Sequence, residues 1–283
     1  GTCQQRAIQQ SGKPLSAFVA NGSGPAALSG RVSFVLGLKG PCFSVSTVCS
    51  SSLVALDAAA QNLQLGRCSG GLVAGVNMIS DAVGFLAYGA ALAADGKCKT
   101  FDAAANGLGR GDACGVLVLK PAEITHDVSL SSVVMVGSAV NQDGRSASMS
   151  APNGPSQVEV LQRVVHRAGG STLRHLSETH GTGTALGDPI EVGALGVVFG
   201  SSNDSGGCMV LGALKSRLGH TEGAAGLMGL LKAVQVLVQR CVPPNLHLNK
   251  ANDKLELDGF AVAMVSGVVA LVVAAAPAGV SSF

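Results

Sequence analysis

The segment GAAGLMGLLKAVQVLVQR, Gly223 to Arg240, is almost wholly apolar. A helix apolar on every face is a buried one, and 283 residues supply enough core to bury it. Shorter apolar runs fit such an architecture. Gly71 to Asn77, Gly115 to Leu119, Ser132 to Val140, Leu176 to Thr179 and Met209 to Ala213 read as strands, as does Cys42 to Val48. Helices are expected over Ala26 to Phe34, Ser50 to Leu65 and Ser156 to Ala168. Ser156 after Pro155 opens the last of these and Gly169–Gly170 closes it. Asp188–Pro189 starts a further helix, with a carboxylate at its cap and Pro at its first position. Strands and helices alternate, which predicts an α/β architecture of layered sheets covered by helices, folded as one unit.

Composition narrows the function classes. A net charge of +2, 3% aromatic residues and no Trp argue against a nucleic-acid partner. None of the eight cysteines forms a CxxC pair, so neither a zinc cage nor a redox dithiol is expected. Reduced thiols in an intracellular compartment fit better. No charged segment with an apolar core opens the chain. Residues 259–283 carry no charge. The length suits a membrane span, but Gly259, Ser266, Gly267, Pro277 and Gly279 interrupt it, and its Val-rich parts are strand-sized. Buried central strands are favoured over a span.

Three segments carry chemistry. In STVCSSSLVAL, Cys49 lies between a β-branched extended run and a helix whose first turn is serine. Free N–H groups and the helix dipole at such a junction favour an anion, lower a thiol pKa and hold a developing oxyanion. A small buried structural cysteine is the competing reading. In ETHGTGTALGDPIE, Gly181, Gly183 and Gly187 alternate with Thr182 and Thr184 directly after His180. The glycines admit a ligand against the backbone, the hydroxyls hydrogen-bond it, and the histidine handles protons; a plain glycine-rich turn is the alternative. In GALKSRLGHTEGAAG, Lys215 and His220 precede the buried helix. Burying two such groups requires partners, for which Asp188 and Glu191 are the candidates; a solvated basic turn is the alternative. His126, His166, His175 and His247 read as surface or structural residues. In FDAAANGLGRGDACGVLVL, Arg110 and Asp112 are expected to pair, and the polar segment Gly137 to Gln157 to line an entrance.

Taken together, GPCFSVSTVCSSSLVAL, FDAAANGLGRGDACGVLVLK, GSAVNQDGRSASMSAPNGPSQ, ETHGTGTALGDPIE, LGALKSRLGHTEGAAGL and VPPNLH resemble the β-ketoacyl synthase family. The wording is most similar to the ketosynthase domains of modular type I polyketide synthases. The resemblance implies a thiolase-like fold, two similar α/β halves in an α-β-α-β-α arrangement, divided here into about 1–125 and 126–283. It implies a homodimer with the strand before Cys49 near the seam. It implies an acyltransferase that binds no cofactor of its own, holds no metal, and takes substrates from the phosphopantetheine arm of an acyl carrier protein, with further synthase domains as possible neighbours. Cys49 would accept the acyl chain. His180 and His220 would hydrogen-bond the malonyl thioester carbonyl and assist its decarboxylation. Lys215 would be a structural lysine held by Glu191, with Asp188 in support, and Thr182 and Thr184 would contact the phosphopantetheine. The Cys49 N–H would form half of an oxyanion hole, whose other half the family takes from a glycine-rich segment following AGVSSF. The family usually has Asp-Thr-Ala where this chain has Ser46, Thr47 and Val48, and a small or amide residue at Arg217. The expected location is intracellular, cytoplasmic or plastid. The alternative is a non-catalytic ketosynthase fragment that dimerises or binds carrier protein.

Overall fold

The computed structural model describes residues 22, 24–80, 82, 88–122, 133–148, 151–170, 175–200, 208–271 and 277–283. The apolar helix expected near residue 230 organises the rest. It is α6, Ala225–Gln239, and it buries Ala225, Gly226, Leu227, Gly229, Lys232, Ala233 and Val236. On one side it meets β1, Gly71–Asn77, and β2, Ala113–Leu119. On the other it meets β3, Leu176–Glu178, and β8, Ala278–Val280. Beside it runs α2, Ser51–Gln64, which also packs on β1.

β1 and β2 pair antiparallel, Gly71 opposite Leu119 and Asn77 opposite Ala113. Their glycines face inward and set the spacing of the layers. A Cβ on Gly75 would lie 3.0 Å from the Ala224 Cα and 3.1 Å from the Ser52 Cβ, so glycine lets β1 lie close to α2 and to the turn before α6 without its neighbours giving way. The second sheet is parallel throughout, in the order β6, β4, β3, β8, where β4 is Met209–Gly212 and β6 is Val262–Met264. Side chains alternate across it as strand geometry requires. Met209 and Leu211 join Val192 and Leu195 of α4, Gly187–Phe199, in one core with Phe101 and Phe260. Leu176 joins Val236 of α6 in another. Helix α3, Gly154–Arg167, packs on α4. The layers thus run α3 and α4, parallel sheet, α2 and α6, antiparallel sheet. Leu72, Val76, Val116 and Val118, on the outer face of β1 and β2, are exposed.

Several expectations need correction. Residues 41–47 and 133–140 run without helix or ladder, although both read as strands. Pro25–Leu36 (α1) forms as a helix but buries no residue. The side chain that caps α3 is Asn153, whose Oδ1 accepts from Ser156 N at 3.3 Å, and Ser156 is already inside the helix. Asp188 likewise lies inside the first turn of α4 and does not cap it; Thr184 Oγ1 accepts the N–H of Gly187 at 3.1 Å. The uncharged end divides into β6, β7 (Val269–Ala270) and β8, with β7 paired to β5, Cys241–Val242. Among the described residues no helix is long and apolar enough to cross a membrane. His126 lies outside the described residues, and the seven cysteines within them are free.

Candidate active site

Cys49 sits in a 3-10 turn, Val48–Ser50, that leads directly into α2. Val48 has φ +57°, a left-handed conformation that a β-branched residue adopts only under constraint from its surroundings. The serines supply that constraint. Thr47 N donates to Ser51 Oγ at 2.8 Å, Ser51 Oγ donates to the Val48 carbonyl at 2.7 Å, and Ser50 Oγ donates to the Thr47 carbonyl at 2.9 Å. Ser52 Oγ accepts from Leu227 N at 3.0 Å and so fixes α2 to α6. The serine run after the cysteine therefore holds the strained turn and braces it against the central helix.

His220 stands in the loop before α6, with its Nε2 3.0 Å from Cys49 Sγ. Its backbone is held by the glycine-rich segment, His220 N donating to the Gly109 carbonyl at 2.6 Å and Gly111 N to the His220 carbonyl at 3.0 Å. His180 follows β3, its ring centroid 5.5 Å from that of His220 in an edge-on arrangement. Lys215 opens the short helix α5, Lys215–Leu218. Its Nζ donates to the His180 carbonyl at 2.5 Å and lies 3.4 Å from His180 Nδ1. The last residues close over the group. Ser282 Oγ donates to the Cys49 carbonyl at 2.8 Å, Phe283 N donates to His180 Nδ1 at 3.4 Å, and the Phe283 ring lies 5.9 Å from the His180 ring.

These partners fix the tautomers. His220 Nδ1 accepts from Glu222 N at 3.0 Å, as His180 Nδ1 accepts from Phe283 N. Each neutral ring therefore carries its proton on Nε2. Burial, then the charges of Lys215 and Arg110, push His220 down to about 3. Burial, then Lys215 and His220, hold His180 well below the usual imidazole range. Both rings are neutral at pH 7, and they present N–H donors.

The carboxylates act on the backbone. Glu191, expected to hold Lys215, directs its hydrogen bonds to the loop around His180 and acts on Lys215 through its charge. Glu191 Oε1 accepts from His180 N at 2.6 Å and from Ser281 Oγ at 2.7 Å, and Oε2 accepts from Gly181 N at 2.9 Å. Burial pushes the Lys215 pKa down, and the charges of Glu191 and Glu178 oppose it. Asp188 clamps the GTGT loop to the neighbouring segment, accepting from Gly183 N at 3.0 Å and from Phe101 N at 2.9 Å. Gly183, at φ +76°, would place a Cβ 2.7 Å from Lys99 N. The hydroxyls of Thr182 and Thr184 are 3.0 Å apart beside it.

Two more expectations change. Burial pushes the Cys49 thiol up, against the lowering expected of a helix N-terminus, and the Lys215 charge opposes that rise. Arg110 does not pair with Asp112: it forms an ion pair with Glu222 at 2.5 Å, while Asp112 Oδ1 accepts from Ile79 N at 2.6 Å. Arg217 donates to the Pro244 carbonyl at 3.0 Å. Sequence reasoning missed the buried ion pair of Glu178 and Lys232, Nζ to Oε2 2.6 Å. One lysine within an otherwise apolar helix was its signal.

Cys49, His180 and His220 place a sulfur and two ring nitrogens within 4.8 Å of one another, a donor set of the zinc type. The outer partners disagree with that use. A metal-bound histidine donates its other N–H outward, whereas here both Nδ1 atoms accept from backbone N–H groups. The arrangement offers one N–H donor 3.0 Å from a thiol and a second imidazole in the same cluster, which suits an oxyanion beside a nucleophile.

A sequence profile of the β-ketoacyl synthase N-terminal domain matches residues 2–124, and one of the β-ketoacyl synthase C-terminal domain matches residues 132–249. The chain belongs to the β-ketoacyl synthase family. Over 263 residues it is 39% identical to the pikromycin polyketide synthase component PikAII of Streptomyces venezuelae, covering 92% of this chain and 7% of that protein. Over 273 residues it is 40% identical to the erythronolide synthase EryA3 of Saccharopolyspora erythraea, covering 94% of this chain and 9% of that one. Among solved structures, the oxazolomycin ketosynthase domain OzmH KS7 of Streptomyces albus JA3453 superposes with a TM-score of 0.87 at 30% identity, covering 99% of this chain and 49% of that one. The ketosynthase from module 6 of the bacillaene synthase of Bacillus subtilis 168 gives 0.86 at 32% identity, covering 93% and 48%. This β-ketoacyl synthase chain thus has the thiolase-like α/β fold, and spans about half the length of the solved ketosynthases it matches.

Proposed function

We propose that the chain performs decarboxylative Claisen condensation as the ketosynthase of a polyketide synthase. One observation carries this reading: two neutral imidazoles, each with its proton on Nε2, beside a thiol 3.0 Å from one of them. In the first half-reaction the Cys49 sulfur attacks the carbonyl carbon of an acyl thioester. The C–S bond to phosphopantetheine breaks, and the departing thiolate takes up the proton that Cys49 gives up. In the second half-reaction a malonyl thioester binds with its carbonyl oxygen toward His180 and His220. The bond to the carboxylate breaks, CO2 leaves, and the electron pair enters an enolate whose oxygen the two N–H groups stabilise. The enolate carbon attacks the acyl-cysteine, the Cys49 thiolate leaves, and a 3-oxoacyl thioester is released. Neutral rings suit this step, because a donor must stabilise the oxygen without protonating the carbon.

The remaining residues support the pair. Lys215 holds the backbone of His180 and favours the thiolate of Cys49. Glu191 and Asp188 fix the loop that carries Thr182 and Thr184, which we assign to the phosphopantetheine arm. A carrier protein delivers both substrates, and the chain works as a homodimer within a larger synthase, its halves meeting near residue 125. The relatives' identities support these assignments. Incubation of the chain with an acyl thioester and a malonyl-phosphopantetheine thioester tests the reading. The expected result is CO2 and 3-oxoacyl thioester in equal amounts. Hydrolysis of the acyl thioester without carbon–carbon bond formation would overturn it.

A further inference from the structure

Glu222 has φ +43°, a left-handed conformation that disfavours a residue with a Cβ and persists only where neighbours enforce it. Its backbone N–H is the donor that reaches His220 Nδ1 at 3.0 Å. Its side chain is pinned at both oxygens. Oε1 accepts from Arg110 Nε and lies 2.5 Å from Arg110 Nη2, and Oε2 accepts from Tyr88 Oη at 3.1 Å. The Arg110 guanidinium lies 4.5 Å from the centre of the Tyr88 ring. The Arg110 and Glu222 side chains are only 7% and 15% exposed, so water screens this pair less than an ordinary surface ion pair. The residues flanking Arg110 hold the His220 backbone from the other side.

We propose that Tyr88, Arg110 and Glu222 form a positioning cluster that locks His220 in its Nε2–H tautomer. The carboxylate anchor holds the strained backbone, which aims one N–H at Nδ1 and thereby directs the opposite N–H at Cys49. The functional consequence rests on the proposed role of His220 toward the enolate, but the tautomer lock does not. None of the three side chains is proposed to touch substrate. They act through His220 alone.

The test reads the tautomer directly, by nitrogen NMR of the chain carrying 15N-histidine, with the His220 signal assigned by its loss in His220→Gln. The expected spectrum of the unaltered protein shows Nδ1 unprotonated and Nε2 protonated. Glu222→Ala and Arg110→Gln should move His220 to a mixture of tautomers, and malonyl decarboxylation should fall at least about tenfold, toward the loss seen when one oxyanion donor is removed. Glu222→Gln, which keeps both side-chain contacts, should restore the single tautomer. Glu222→Gly separates anchoring from backbone preference. Glycine accepts a positive φ freely, so a purely conformational role would leave this variant like the unaltered protein, whereas the anchor predicts that it behaves like Glu222→Ala. Tyr88→Phe deletes one hydroxyl at little risk to the fold and should shift the tautomer in the same direction, less far. A single Nε2–H tautomer in Glu222→Ala, Glu222→Gly and Tyr88→Phe would overturn the proposal. A protein that decarboxylates with its tautomer unmoved in every variant keeps the condensing activity and loses the lock. A tautomer that shifts as expected, in a protein that never decarboxylates, keeps the lock and removes the activity.

Discussion

Cys49 owes its setting to its neighbours. Val48 is held at positive φ beside it, Ser50 and Ser51 tie the turn, and Ser52 joins it to α6. The thiol, the two histidines and Lys215 were legible in the sequence because their residue types are rare in small-residue loops and recur in family wording. Their partners were not. Arg110 finds Glu222 112 residues away, and Glu178 finds Lys232 across a layer boundary; no local spacing connects either pair. Two outcomes follow at this scale. His220→Ala should abolish malonyl decarboxylation while acylation of Cys49 persists, measured as CO2 release against protein mass; equal loss of both would break the proposed division of labour. Lys232→Met should strand the Glu178 carboxyl, 2% exposed, in the core. Breaking a buried pair from one side costs about 3–5 kcal/mol, read as a fall in the urea midpoint, and adding Glu178→Gln should recover much of the loss.

The helices were legible as elements because a helix satisfies its own backbone, so pattern and end signals nearly define it. Strands are pairings, and a β-branched run does not reveal its neighbour. Residues 41–47 and 133–140 have strand composition and no ladder, whereas β1 and β2 have composition and each other. The GTGT loop belongs to this scale because its conformation depends on glycine. Gly183 is at φ +76° and in tight contact with Lys99 N. Gly183→Ala should destabilise the protein by roughly 1–3 kcal/mol, read by thermal melting, and should weaken the second half-reaction more than acylation of Cys49 by a short thioester. An alanine variant with unchanged melting and unchanged condensation would show that the loop tolerates a side chain there.

For the whole molecule, strand and helix patterns indicated layers, while their order came only from the family resemblance, because it depends on which sheet lies on which side of α6. The buried charges give the folded state its pH dependence. His220 has a pKa of about 3 in the folded protein against an ordinary value of 6.5. Between these values the unfolded chain binds more protons, so this group makes stability rise with pH from about 3 to about 6.5. Asp188 works the other way. Burial, reinforced by the Glu191 charge, raises it from 3.8 to about 7, against the backbone N–H bonds it accepts. Between those values the folded state binds more protons, so its contribution is present below pH 4 and is lost as pH rises through 7. Asp188→Asn should therefore gain on the unaltered protein as pH rises from 4 to 7, in denaturant titrations across that range; a difference independent of pH would show that Asp188 does not titrate there.

The central claim is that Cys49 is the nucleophile which this fold assembles at the start of α2, facing His220. Intact-protein mass after incubation with an acyl thioester tests it most directly. The account predicts a single acyl adduct on the unaltered chain and none on Cys49→Ala, with the six other described cysteines unmodified. No adduct on the unaltered chain, or one that survives in Cys49→Ala, would contradict it.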